Sequence, residues 1–301
     1  MTEKSDIVLS AGPKYSEIDG YASTVAMSEL LTSKGSKPTV LRAPQNYSIP
    51  REYLDEKLVF TDKINDGDRV IILDTSNPEY IQDGCLLDNV IEIYDHHPGN
   101  EKFWKERLDG KSHIEPIGAV ATQMFEKWQE ESDISKMSDT TARLLAAAIL
   151  DNTLNFNAEI TTDRDRDVYK KLTEKVGKDI TDEYFDLVSK NVEADLENAI
   201  NDDMKRLNVS GFGDIDFGQL TIGKARDSLR NEIENIMNGK SDKWVFNLID
   251  ISAGKSIILA SDDHIRQFFT NVLGDKRMLL RKEFLIEANR MMSYDDGGAE
   301  R

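Results

Sequence analysis

Two short, β-branched apolar runs constrain this chain more than any other feature. RVIIL (Arg69 to Leu73) leads directly into Asp74, and VIEIY (Val90 to Tyr94) leads directly into Asp95-His96-His97. Runs of this length and composition, closed by Asn77-Pro78 and by Pro98-Gly99-Asn100, read as strands buried on both faces. A strand buried on both faces needs helices above and below it. The expected fold class is therefore α/β, with a parallel sheet whose carboxyl edge presents Asp74 and the histidine pair.

The neighbouring segments fit that frame. DIVLS (Asp6 to Ser10) and PTVLR (Pro38 to Arg42) supply further strands, and GYASTVAMSELLTSK (Gly20 to Lys34) is a helix stopped by Gly35. Gly118 to Glu131 is amphipathic, whereas Ser138 to Asn152 is apolar nearly all round and carries Asp151 at its far end. That carboxylate is either a polar helix boundary or an inward-reaching ligand. Further along, DFGQLTIGK (Asp216 to Lys224), KWVFNLIDI and KSIILA read as strands, the last two joined by Ser252-Ala253-Gly254. With 301 residues the chain is long enough for two domains, which we place at 1–190 and 195–301, the second being a smaller α/β domain.

Charge narrows the partners. The 38 basic against 56 acidic side chains give a formal net charge of −18, the wrong sign for wrapping a large nucleic acid. A small anionic substrate remains compatible, because bound cations and a few converging Lys or Arg residues reverse the local potential. No run approaches a membrane span, and the opening MTEKSDIVLS lacks a signal peptide's apolar core, so a cytoplasmic location is expected.

The candidate ligands stand behind apolar elements that could aim them at one sheet edge: Glu17 and Asp19 in the first loop, Asp74, His96 and Asp151. Oxygen donors with one imidazole suit Mn²⁺, with Mg²⁺ or Co²⁺ as alternatives. A pair of such ions would activate water and stabilise the leaving oxygen in the hydrolysis of a phosphoanhydride or phosphodiester. Lys205, Arg281 and Lys282 are candidates for the outer phosphate, and Asp95 for supporting a histidine.

These motifs resemble those of the DHH phosphoesterase superfamily, on the DHHA2 branch that contains the manganese-dependent (family II) inorganic pyrophosphatases and exopolyphosphatases. PKYSEID (Pro13 to Asp19) lines up with the family's His-x3-Asp-x-Asp loop, VIILDTS with its strand-end Asp, YDHH with its namesake motif and AAILDN with its fourth. Asp203-Met204-Lys205 and Arg281-Lys282 match the family's second domain. The loop departs from the pattern at Pro13, Glu17 and Gly20, which stand where the family has His, Asp and Ser, and Leu280 replaces the Ser before the Arg-Lys pair.

The resemblance implies a DHH domain and a DHHA2-like domain with the active site in the cleft. It implies that Asp19, Asp74, His96 and Asp151 hold one ion, that Asp74 bridges to a second helped by Glu17, and that His97, Lys205, Arg281 and Lys282 contact phosphate oxygens. It also implies hydrolysis of pyrophosphate or short polyphosphate, and homodimers. Two other readings are a phosphate- or nucleotide-binding regulator that keeps the fold, and a small-nucleotide phosphodiesterase.

Overall fold

The computed structural model describes residues 7–11, 16–55, 57–81, 85–209 and 211–296. In the N-terminal part the apolar runs form strands and the longer small-residue or amphipathic stretches form helices. In chain order these are β1 (Ile7–Ala11), α1 (Ile18–Ser33), β2 (Thr39–Leu41), β3 (Phe60–Thr61), β4 (Arg69–Leu73), β5 (Val90–Asp95), α2 (Glu101–Arg107), β6 (Ser112–Ile114), α3 (Val120–Glu131), α4 (Asp139–Asn152) and α5 (Asp163–Val176).

The six strands form one parallel sheet in the order β3-β2-β1-β4-β5-β6. The chain moves outward from β1 in one direction through β2 and β3, then crosses back to β4 and moves outward in the other. The switch falls between β1 and β4, where a parallel α/β sheet opens a crevice at its carboxyl edge. Register keeps the three central ends level: Ala11 pairs with Leu73, and Leu73 with Tyr94. Asp74 and Asp95 therefore leave the sheet side by side.

Both faces of β4 are buried, which is why its sequence shows no alternation. On one face Val70 and Ile72 pack with Val90, Ile93 and the fully buried Trp104 of α2. Helices α1, α3 and α4 form a packed layer of their own, and the run Leu144 to Leu150 has no exposed residue. Each large apolar side chain buried this way contributes about 1.5–3 kcal/mol.

Asp165 ties this layer together. Fully buried, it accepts from Gly118 N at 3.0 Å, Thr122 Oγ1 at 2.6 Å, Thr162 N at 2.8 Å and Thr162 Oγ1 at 2.7 Å, closing a capping box at the start of α5. Asp165→Ala leaves the buried Gly118 amide, the buried Thr122 hydroxyl and the half-buried Thr162 amide without this acceptor, so we expect a loss of about 3 kcal/mol or more in urea unfolding. A change below about 0.5 kcal/mol would contradict this role.

The second part consists of α6 (Thr181–Ala194), α7 (Leu196–Asp203), β7 (Lys205–Val209), β8 (Gly213–Ile222), α8 (Leu229–Lys240), β9 (Trp244–Asp250), β10 (Lys255–Ala260), α9 (Asp263–Leu273) and α10 (Arg281–Asp296). Its sheet runs β10-β9-β8-β7, with β8 and β9 parallel and the outer pairs antiparallel. Parallel β8 and β9 require a crossover, and α8 provides it. Phe217 and Val245 pack with Ile265 and Phe269 of α9 and with Phe284 and Ala288 of α10.

The chain divides into two compact units, residues 1–156 with 160–181, and residues 157–159 with 182–301. Helix α6 thus goes with the second unit, whereas the sequence reading places most of it in the first. The reason is local: Ser189 Oγ accepts from Gly223 N at 2.9 Å, just past the end of β8, and the Phe185 carbonyl lies against the same glycine. No described helix is long and apolar enough to cross a membrane.

Candidate metal and phosphate site

Asp74 follows the last residue of β4 in a left-handed conformation, φ 61°. Asp tolerates that region better than most residues, and such backbone concentrates at functional sites. Its amide still donates to Tyr94 O at 2.9 Å, so the ladder to β5 persists up to the bend. On the far side of the bend, Trp104 Nε1 donates to Ser76 O at 2.6 Å and holds the departing chain.

His96 is almost fully buried, and its Nδ1 lies 3.1 Å from the carbonyl of Ile117. A carbonyl can only accept, so Nδ1 carries the proton. In the neutral imidazole Nε2 is then left with its lone pair, and it faces Asp74 Oδ1 at 3.5 Å. The two atoms form an ion pair when the ring is protonated and a ligand pair for a divalent cation when it is neutral. The donor set fits Mn²⁺, which accepts imidazole and carboxylate together.

Asp95, with no exposed surface, organises the next residue. Its Oδ1 accepts from His96 N at 2.8 Å and lies 2.7 Å from His97 Nδ1. Burial alone would raise this carboxyl, but the His97 imidazole and the His96 amide outweigh it and hold the group below the usual carboxylate range. The carboxylate thereby fixes Nδ1 of His97 as the protonated nitrogen and leaves Nε2 outward on a side chain that is 47% exposed.

Asp74, His96 and His97 each offer one ligand atom within 4.8 Å of the others, and they are the one such group among the described residues. Glu17, Asp19 and Asp151 do not join it. Glu17 is the N-cap of α1 and half-buried. Asp19 is fully buried and accepts from Val120 N and Ala121 N, both at 2.8 Å, so it closes the N-terminus of α3. Asp151 is half-buried near the end of α4. Pro13 lies outside the described residues.

Gly20 explains how the first turn of α1 approaches this edge. A Cβ there would stand 3.1 Å from Ala11 Cβ and 3.4 Å from Asp74 Oδ2. A larger residue would have to displace one of them.

In the second unit Lys205 opens β7 and is exposed, Lys282 is half-buried, and Arg281 is 9% exposed at the start of α10. Arg281 reaches Asp203 with two nitrogens, Nη1 to Oδ2 at 2.8 Å and Nη2 to Oδ1 at 3.1 Å. In the sequence Asp203 stands out only through its Asp-x-Lys context, and Gln219 and Asn247, which meet the same segment, carry no motif. Their signal was a polar residue interrupting an apolar strand, FGQLTIG and WVFNLID.

No family model matches the chain. It is 24% identical over 289 residues to a manganese-dependent inorganic pyrophosphatase of Methanothrix thermoacetophila, covering 90% of this chain and 91% of that protein. Among solved structures it is similar to a Methanococcus jannaschii protein assigned to the family II inorganic pyrophosphatases, with a TM-score of 0.63, 21% identity and coverage of 94% and 99%. A Bacteroides fragilis exopolyphosphatase-related protein follows with a TM-score of 0.53, 15% identity and coverage of 82% and 76%. Similarity along nearly the whole length, joined to Asp74 and the Asp-His-His at adjacent strand ends, makes the chain similar in sequence to manganese-dependent inorganic pyrophosphatases and in fold to a family II pyrophosphatase structure.

Proposed function

We propose that this protein hydrolyses the phosphoanhydride bond of pyrophosphate in a manganese-dependent reaction at the carboxyl edge of β4 and β5. The observation that carries the reading is the grouping of Asp74, His96 and His97, whose ligand atoms lie within 4.8 Å of one another with His96 Nε2 3.5 Å from Asp74 Oδ1, an arrangement that suits a divalent cation. The similarity to a manganese-dependent pyrophosphatase over nine-tenths of the chain supplies the substrate.

In this reading Asp19, Asp74, His96 and Asp151 would hold one ion, and Asp74 and Glu17 would help to hold a second. When bound, the ions supply Lewis acidity toward phosphoryl oxygens and lower the pKa of water. Buried Asp95 keeps His97 in one orientation with Nε2 outward, where the N–H of the imidazolium form donates to a phosphate oxygen. Lys205, Arg281 and Lys282 offset the charge of the outer phosphate and of the in-line transition state.

Phosphate release from pyrophosphate, tripolyphosphate and a nucleoside tetraphosphate, each with Mn²⁺, Mg²⁺ or Co²⁺, tests the assignment. The expected result is turnover of pyrophosphate with Mn²⁺ as the best activator. Absence of turnover on all three would remove the enzymatic reading, and a preference for tripolyphosphate would move the substrate to short polyphosphate.

A further inference from the structure

Three consecutive residues at the entry to α10 are each held by a side chain, Leu280 from the helix's own first turn and Leu279 and Arg281 from the sheet. Asn247 Nδ2, fully buried in β9, donates to Leu279 O at 2.7 Å. Glu283 Oε2 accepts from Leu280 N at 2.7 Å. Gln219 Oε1, on β8, accepts from Arg281 N at 2.7 Å and from Asn247 Nδ2 at 3.2 Å. Below them Asp203 takes the Arg281 guanidinium in the two-nitrogen contact described above, and its Oδ2 also accepts from Gln219 N at 2.9 Å. Arg281 Nη1 further donates to the Asp203 carbonyl at 2.5 Å and the Phe217 carbonyl at 3.3 Å.

This is far more restraint than a helix start needs. An ordinary N-terminus is satisfied by one capping side chain or by water. Here Leu280 has the local cap, while the backbone of Leu279 and Arg281 and the Arg281 head group are fixed from β9, β8 and the end of α7 as well. The next residue, Lys282, then projects from a backbone with little freedom. Catalytic cations act best when they need no reorganisation, and such groups are held by hydrogen bonds behind them.

We propose that Asp203, Gln219 and Asn247 are positioning residues that hold the Arg281-Lys282 pair for phosphate. The proposal rests on the pyrophosphatase reading and deepens it. It makes a prediction opposite to simple electrostatics. Asp203 is an anion beside cations assigned to an anionic ligand, so its neutralisation would ordinarily tighten phosphate binding. If Asp203 instead positions Arg281, neutralising it releases the guanidinium and weakens binding.

The experiment uses the full chain loaded with Mn²⁺ and the variants Asp203→Asn and Gln219→Met. Gln219 is half-buried, which makes its replacement the milder variant should Asp203→Asn fold poorly. KM and kcat for pyrophosphate are read together with calorimetric binding of inorganic phosphate and hydrogen exchange of the 280–283 amides with and without phosphate. Expected are a KM raised about tenfold, kcat within about threefold, phosphate affinity lowered about tenfold, and phosphate protection of those amides in the parent chain only. A purely structural role would lower the melting temperature without moving the KM-to-kcat split.

Unchanged or tighter phosphate binding in both variants, with the parent chain turning over pyrophosphate, overturns the clamp and leaves the enzymatic reading intact. A parent chain that binds phosphate and protects 280–283 without turnover does the reverse. Failure of the parent chain to bind phosphate overturns the clamp.

Discussion

Asp74→Ala should strip the protein of bound Mn²⁺ and reduce pyrophosphate turnover to below about one-thousandth of the parent value, the scale on which loss of a charge-stabilising group is felt. Asp74 stands where β4 ends, 3.5 Å from the Nε2 of a histidine whose other nitrogen is committed to Ile117 O. Removing it leaves His96 without its partner across the site, and in the two-ion reading it removes the ligand shared by both. The alanine also sits at φ 61°, which costs about 1–2 kcal/mol by itself. Asp74→Asn separates the effects, since Asn accepts the left-handed region as Asp does. Both variants should lose metal, measured by elemental analysis after gel filtration, and only Asp74→Ala should lose additional stability. Normal metal content and turnover in Asp74→Asn would show that the carboxylate is not a ligand.

Asp19→Ala should damage fold and site together. The carboxylate is fully buried and takes two backbone N–H groups of α3, each at 2.8 Å, at the end of the helix where the macrodipole favours an anion. Losing two charge-assisted hydrogen bonds inside the protein costs about 2–4 kcal/mol. Urea unfolding of the metal-free chain reads that loss without interference from bound ions. In the proposed site Asp19 is also a ligand, so Mn²⁺ affinity measured by calorimetry should fall as well. Full stability with weakened Mn²⁺ binding would make Asp19 a ligand alone. Lost stability with unaltered Mn²⁺ binding would make it a helix cap alone.

The parts of the fold that could be read from the residues are those where burial leaves a long apolar signature. β4 and β5 lie inside the sheet, and their runs stop where the chain meets the functional edge. The short edge strands β3 and β6 escaped notice, because two or three residues of mixed character leave no period to detect. β7, KRLNV, interleaves charge as exposed strands do, and α2 spans only seven residues. α10 was missed as a helix, although its first two residues were singled out as a cation pair.

The site divides the same way. Asp74, His96 and His97 were legible because strand ends deliver them, and Asp95 because it adjoins the residue it supports. The pairing of Asp203 with Arg281 joins positions 78 apart in sequence, and the hold of Asp19 on α3 spans about 100. Nothing local encodes such contacts; they follow from the topology that brings β8 under α10 and the start of α1 against α3.

The most direct test of manganese-dependent hydrolysis at Asp74 is phosphate release from pyrophosphate by the full chain stripped of metal and then titrated with Mn²⁺. Expected are no release from the stripped protein, release restored as Mn²⁺ is added, and no restoration in Asp74→Asn at any Mn²⁺ concentration that saturates the parent. Turnover that is indifferent to metal, or equal recovery in Asp74→Asn, would contradict it.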